Sequence, residues 1–269
     1  MRLQLYLLAT GGLALSAFAV LPPGASGLGA VSSMEAPSVV PEPASESAPV
    51  VSGVDATAAA RDLRVASALE ALSSQVERTS DPDALRDAFQ AYYAFRAARP
   101  ERVRKPYLYF VDYGLDGRTP RGYVFDMESL SVVDGPFTVA HGRGSGPRDG
   151  VPTRFSNQSG SATSSLGLFV AAERYDFTGT AGDRHYASPG MRLDGVSGEF
   201  NSAARARGVV THGAPYVTAW GSGRSEGCPA MEPARARRLI PLLSDGSLVF
   251  LFSPRDTIWL HGDPWVNGR

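Results

Sequence analysis

The single cysteine of the chain, Cys228, stands in Ser225-Glu226-Gly227-Cys228-Pro229-Ala230-Met231. An unpaired thiol has two ordinary fates: burial as a small inert core residue, or use as a nucleophile. The residues before it, from Gly221 on, are polar and glycine-rich, unlike a core strand. A helix is expected a few residues later, and a helix N-terminus nearby would favour the thiolate. His212 lies sixteen residues upstream, at the end of the β-branched run Val209-Val210-Thr211. Alone it reads as a hydrogen-bonded histidine at a strand end. Together the two supply a nucleophile and an imidazole base, the requirements of acyl transfer through a thioester. Sulfur and one ring nitrogen would then lie within hydrogen-bond reach, with the looser geometry of an unliganded site. No His-Glu-x-x-His or His-x-x-x-Asp spacing occurs, so no metal and no cofactor is expected.

These residues need a rigid frame. Short β runs separated by turn signals such as Asp116-Gly117, Asp134-Gly135 and Asp149-Gly150 are expected at 107–113, 122–126, 129–133, 137–140, 167–172, 208–211, 247–252 and 257–260. One helix interrupts them, from Pro233 to about residue 243, with Leu239, Ile240 and Leu243 on one face. Two helices precede the β region. The first, over 58–76, carries Leu63, Ala66, Leu69, Leu72 and Val76 at helical spacing. The second starts at Asp81-Pro82, an N-cap followed by proline, and places Leu85, Phe89, Tyr92 and Tyr93 together. The fold class implied is mainly β, a sandwich or barrel with one helix after Cys228, preceded by two short α-helices.

The 269 residues are 43% hydrophobic, enough for a buried core. With 26 basic and 27 acidic residues the net charge is −1, which argues against a nucleic-acid binder. All the basic residues except Lys105 are arginine, so lysine-centred chemistry has one poorly placed candidate. Residues 1–21 read as a signal peptide, or as an N-terminal membrane anchor, with a basic start and an apolar run ending near Ala17-Phe18-Ala19. Residues 22–56 are rich in Pro, Ser and Ala and read as a disordered linker. The expected organisation is completed by a helical segment at 57–100, packing on a catalytic domain at 101–269. Export to the periplasm or cell envelope is the localisation expected.

His212-Gly213, a gap, then Ser225-x-Gly227-Cys228 resembles the signature of the L,D-transpeptidases, the YkuD-like cell-wall enzymes. Ser165-Leu166-Gly167-Leu168-Phe169 is similar to a strand motif of that family. Ala140-His141-Gly142-Arg143-Gly144-Ser145-Gly146, Gly198-Glu199-Phe200-Asn201 and Arg205-Ala206-Arg207-Gly208 resemble the murein L,D-transpeptidase catalytic-domain subgroup. The likeness covers roughly residues 85–255. It implies a mostly β catalytic fold acting on peptidoglycan stem peptides. Cys228 would attack the carbonyl of the third stem residue and His212 would carry the proton. The N–H groups of Gly227 and Cys228 would hold the oxyanion, and Ser225 would orient the site. An amine acceptor would give a cross-link; water would give L,D-carboxypeptidase activity. Substrate-binding residues implied alongside are His141, Gly213, Arg224 and Asn201, although the loop around His141 also reads as a plain strand connection. A β-lactam of the carbapenem class is the expected inhibitor, and the chain is expected to act as a monomer.

Two positions depart from the usual Ser-His/Arg-Gly-Cys-x-Arg pattern: Glu226 fills the variable place and Ala230 replaces the arginine. Arg192, Arg205, Arg207 and Arg224 are the candidates to bind stem carboxylates in its stead. The departures also admit a rival reading, a non-catalytic wall-binding or scaffold protein that keeps the fold. A papain-like endopeptidase fits less well, because there the cysteine precedes the histidine.

Overall fold

The computed structural model describes residues 53–267. The leader expected at 1–21, and the linker at 22–56 save its last four residues, lie outside the described residues. Those four already belong to the first helix. In chain order the elements are α1 (Gly53–Leu72), α2 (Ala84–Ala98), β1 (Tyr107–Asp112), β2 (Gly122–Asp126), β3 (Ser131–Phe137), β4 (His141–Gly142), β5 (Gly167–Ala181) and β6 (Arg184–Gly195). Then come β7 (Val210–Gly213), β8 (Val217–Thr218), β9 (Gly221–Ser222), β10 (Arg224–Ser225), β11 (Ala230–Met231), α3 (Pro233–Leu243), β12 (Leu248–Phe252) and α4 (Thr257–Gly262).

Strand residues dominate, and eight strands form one mixed sheet in the order β11-β7-β6-β5-β12-β1-β2-β3. β12 and β1 lie parallel at its centre, Leu108 opposite Leu248 and Phe110 opposite Phe250. Every residue of β12, and of β1 from Leu108 on, is buried, so both faces of the centre are covered. That is why these runs read as continuous rather than alternating apolar sequence. α2 packs on β1 and β12 and buries Phe89, Tyr92 and Phe95. α3 packs on β6 and β7 through Ala236, Leu239, Ile240 and Leu243.

Four details differ from the pattern reading. In α1 the buried face is Val65, Ala68 and Leu72, whereas Leu63 is 71% exposed and Ala66 is also exposed. In place of the runs 129–133 and 137–140 there is one strand, β3, from Ser131 to Phe137, passing through Asp134-Gly135. There the β2–β3 register shifts, so a bulge replaces the expected turn. Residues 257–260 form α4, not a strand, because Asp256 caps it, its carboxylate accepting the Trp259 N–H at 3.0 Å. β5 runs on to Ala181 and pairs with β6, a strand that the pattern reading lacks. Gly182, at φ +60°, and Asp183 make the two-residue turn between them.

Candidate active site

β7 presents His212 from the interior of the sheet. The strand lies between β6, with Gly190 opposite His212, and β11, with Ala230 opposite His212. The ring is 2% exposed, and its Nδ1 lies 3.0 Å from the Gly213 carbonyl oxygen. A carbonyl only accepts, so Nδ1 carries the hydrogen and Nε2 keeps its lone pair. Burial pushes the imidazole pKa down to about 4, and the Gly213 bond opposes that only in part. Phe177 of β5 stacks on the ring, centroids 4.0 Å apart at 20°. The stack needs glycine across the sheet, since a Cβ at Gly190 would sit 2.8 Å from the Phe177 Cβ and the Tyr175 ring.

The cysteine segment follows β10, which pairs in parallel with β4. Ser225 closes the turn: its Oγ donates to the Cys228 carbonyl at 2.7 Å and accepts the Gly227 N–H at 3.1 Å. Gly227 has φ +127°, and a Cβ there would meet the Thr163 carbonyl oxygen at 2.7 Å, so no other residue fits. Because Ser225 takes the Gly227 N–H, that group is not aimed at an oxyanion, contrary to the expected role of Gly227. The Cys228 N–H has no hydrogen-bond acceptor among the described residues and is the donor left beside the sulfur. The thiol is 9% exposed and leans toward the Gly208 carbonyl oxygen at 4.0 Å; no hydrogen bond joins it to the His212 ring. Burial pushes its pKa up to about 11, while the Val210 N–H and Arg207 pull it down. α3 starts at Pro233, as expected, but burial is the larger influence and leaves the thiol protonated.

Thiol and imidazole are thus both neutral at rest, on neighbouring segments. Ala230 faces His212, and Cys228 lies two residues before Ala230 on the same segment.

Of the other expected site residues, His141, Asn201 and Gly213 are structural in this arrangement. His141 is fully buried. Its Nδ1 accepts from Arg121 at 2.9 Å and its Nε2 therefore donates to the Pro147 carbonyl at 3.1 Å. No lone pair or N–H is left for a substrate. Asn201 is also fully buried. It accepts from the Ser197 N–H at 2.8 Å and donates to the Leu166 and Leu168 carbonyls at 3.0 and 2.9 Å. Gly213 holds the Ser188 hydroxyl through its N–H and has no room for a side chain against Ala236. Arg224 is exposed on β10, with one 3.4 Å bond to the Gly146 carbonyl. Among the described residues no group of His, Cys, Asp and Glu side chains could hold a metal ion.

The site also has an aromatic wall that the pattern reading missed. Tyr186 of β6 lies 6.3 Å from the His212 ring and 6.4 Å from Tyr216, centroid to centroid. The sequence signal for it was the Tyr175-x-Phe177 alternation leading into Gly182-Asp183.

A family model for the L,D-transpeptidase catalytic domain matches residues 76–252, which include every residue just described. The chain belongs to the L,D-transpeptidase catalytic-domain family. Solved structures similar to this L,D-transpeptidase-family chain include an L,D-transpeptidase from Mycobacterium smegmatis, at 14% identity and TM-score 0.34, covering 55% of this chain and 58% of that one. Another, from Stackebrandtia nassauensis, shows 15% identity and TM-score 0.35, covering 64% and 68%. An L,D-transpeptidase solved in complex with imipenem shows 12% identity and TM-score 0.35, covering 55% and 59%. The chain thus spans less than two thirds of the first of these structures. No curated protein matches it.

Proposed function

We propose that this chain is an exported peptidoglycan L,D-transpeptidase that works through a Cys228 thioester. The observation that carries the reading is the His212 ring: Nδ1–H committed to Gly213, Nε2 left as a base, on the strand registered with the cysteine segment. Because thiol and imidazole are both neutral at rest, proton transfer accompanies attack. As Sγ bonds to the carbonyl carbon of the third stem residue, His212 Nε2 takes the thiol proton. The Cys228 N–H faces the developing oxyanion. Collapse breaks the C–N bond to the terminal D-alanine, whose amine leaves with the proton from His212. In the second half an acceptor amine attacks the thioester and gives its proton to His212. The C–S bond then breaks and the proton returns to sulfur; water in the amine's place gives hydrolysis.

The test is incubation with purified disaccharide-tetrapeptides, with and without an amine acceptor, and mass analysis of the products. Cross-linked dimer or released D-alanine is expected. Cys228→Ala should abolish it, and His212→Ala should lower the rate by ~10²–10⁴-fold, the usual cost of a lost general base. Undiminished product from the Cys228→Ala protein would sink the assignment.

The absence of a thiol–imidazole hydrogen bond favours a second reading, a wall-binding protein that keeps the fold without the activity. A carbapenem separates the two. The acyl-transfer reading expects slow gain of one drug mass at Cys228, slow because Ala230 offers no charge to the drug's carboxylate. The binding-protein reading expects none.

A further inference from the structure

Ala230, where the family pattern has arginine, is fully buried with Ala140, Ala214 and Val217, in a cluster with Tyr186 and Tyr216 packed against it. No positive charge reaches the thiol from that position. One lies close by, on Arg207. Its guanidinium is half-buried, and all its hydrogen bonds go to neutral acceptors. Nη1 donates to the Ser156 carbonyl at 2.7 Å and to Ser165 Oγ at 2.6 Å; Nη2 donates to the Thr163 carbonyl at 2.8 Å and to Ser161 Oγ at 3.2 Å. Arg205 pairs with Glu173 and Asp194, Arg192 with Glu173 and Arg143 with Glu226, whereas Arg121, fully buried, is like Arg207 held by neutral acceptors alone, the Val139 and Leu115 carbonyls and His141 Nδ1. Arg207 makes no ion pair among the described residues.

A half-buried charge without a counter-ion is costly to keep, and beside Cys228 it is placed to be offset by an anion that forms only during function. The surroundings say where. The Thr163 carbonyl that Nη2 holds is the same atom that a Cβ at Gly227 would meet, and Nη2 itself lies 3.7 Å from that Cβ position.

We propose that Arg207 is the positioning residue of the nucleophile: its fork pins the 156–165 stretch against Gly227, and its unpaired charge is held for the anion that forms at Cys228. The inference rests on the acyl-transfer reading for its meaning but not for its test. Arg207 and the Cys228 thiol lower and raise each other's pKa in the expected directions, beneath the larger effect of burial on each. The other ionisable groups facing the thiol are Glu226, Tyr113, Tyr175, Tyr186 and Tyr216, with neutral His212 on the adjacent strand. None of them is positive at neutral pH.

With one cysteine in the chain, alkylation by iodoacetamide reads this site alone. Its rate would be followed across the pH range for the full chain, Arg207→Gln and Arg207→Lys, with Cys228→Ala as blank and melting temperature as the control for folding. Arg207→Gln should move the alkylation inflection to higher pH and slow the reaction at fixed pH by ~3–10-fold, the effect of half to one pKa unit. Arg207→Lys keeps the charge and loses the fork, so it should restore the alkylation profile while still lowering the melting temperature. A folded Arg207→Gln protein with the wild-type profile would overturn the proposal. So would an Arg207→Lys profile as displaced as that of Arg207→Gln, which would leave Arg207 a structural tie only. Wild-type turnover of disaccharide-tetrapeptide separately decides the acyl-transfer reading.

Discussion

At Cys228 and His212 the decisive quantity is where the proton rests. Burial is the largest influence on both: it holds the thiol near pKa 11 and the imidazole near 4, so in the acyl-transfer reading the active form is the neutral pair. The kcat/KM profile should rise through an acid limb near pH 4 to 5, stay flat across neutrality, and fall only toward pH 11. A thiolate–imidazolium pair would give its alkaline limb some units lower. It would also make iodoacetamide alkylation level off by about pH 6, an outcome incompatible with the neutral pair. The same residues couple stability to pH. His141 and His212 both have folded pKa values near 4, below the ordinary 6.5. Between those values the unfolded chain binds more protons than the native one, so stability rises with pH. The protection is complete above pH 6.5 and is lost as pH falls toward 4, worth a few kcal/mol for the two together on an order-of-magnitude reckoning. Urea titrations at pH 7, 5.5 and 4.5 should show that decline, and a His141→Gln, His212→Gln double variant that still folds should flatten it.

Strands and turns explain which part of the site the sequence made legible. Ser225, Gly227 and Cys228 act on one another within four residues, and His212 enters through one strand pairing, so local motif and spacing carry them. His141 and Asn201 look equally polar and motif-bound, but their partners are Arg121, Pro147, Leu166 and Leu168, and only the folded chain shows that nothing remains for a ligand. β6 is not legible in the sequence because Arg184, His185, Pro189 and Arg192 break its apolar alternation; outside its pairing with β7 it forms a two-stranded ribbon with β5, much of it open to solvent. Two outcomes follow at this scale. Asn201→Ala removes three buried hydrogen bonds and should cost about 2–4 kcal/mol in denaturant unfolding, while carbapenem acylation per folded molecule stays as in wild type; a slowed acylation would return Asn201 to the cleft. Phe177→Ala uncovers one face of the His212 ring. Its pKa, followed by NMR, should climb toward 6.5, and turnover should fall by ~10–100-fold as the base loses its seat. Unchanged values of both would mean that the ribbon plays no part in the site.

For the molecule as a whole, the boundary of the folding unit is set upstream of the β region. The family match begins at Val76, ahead of α2. The physical reason lies in Asp112, at the end of β1 and only 1% exposed. Its carboxylate is satisfied by the Ser80 N–H at 2.7 Å, the Ser80 hydroxyl at 2.6 Å and the Gly114 N–H at 2.9 Å. Glu77 donates its N–H to the Tyr123 hydroxyl at 3.0 Å. Removing the segment before β1 would strip two of the three donors from a buried acid, whose pKa burial already raises. It would also bare the core where Phe89, Tyr92 and Phe95 lie, each worth about 1.5–3 kcal/mol of burial. Together those losses approach the whole stability of a domain, about 5–15 kcal/mol. A chain starting at residue 53 should therefore unfold cooperatively with the midpoint and m-value of the full chain. One starting at residue 100 should show no cooperative transition, even with Cys228, His212 and every strand present. If the shorter chain melts cooperatively and still accepts a carbapenem at Cys228, α1 and α2 are an appendage and Asp112 finds its donors elsewhere.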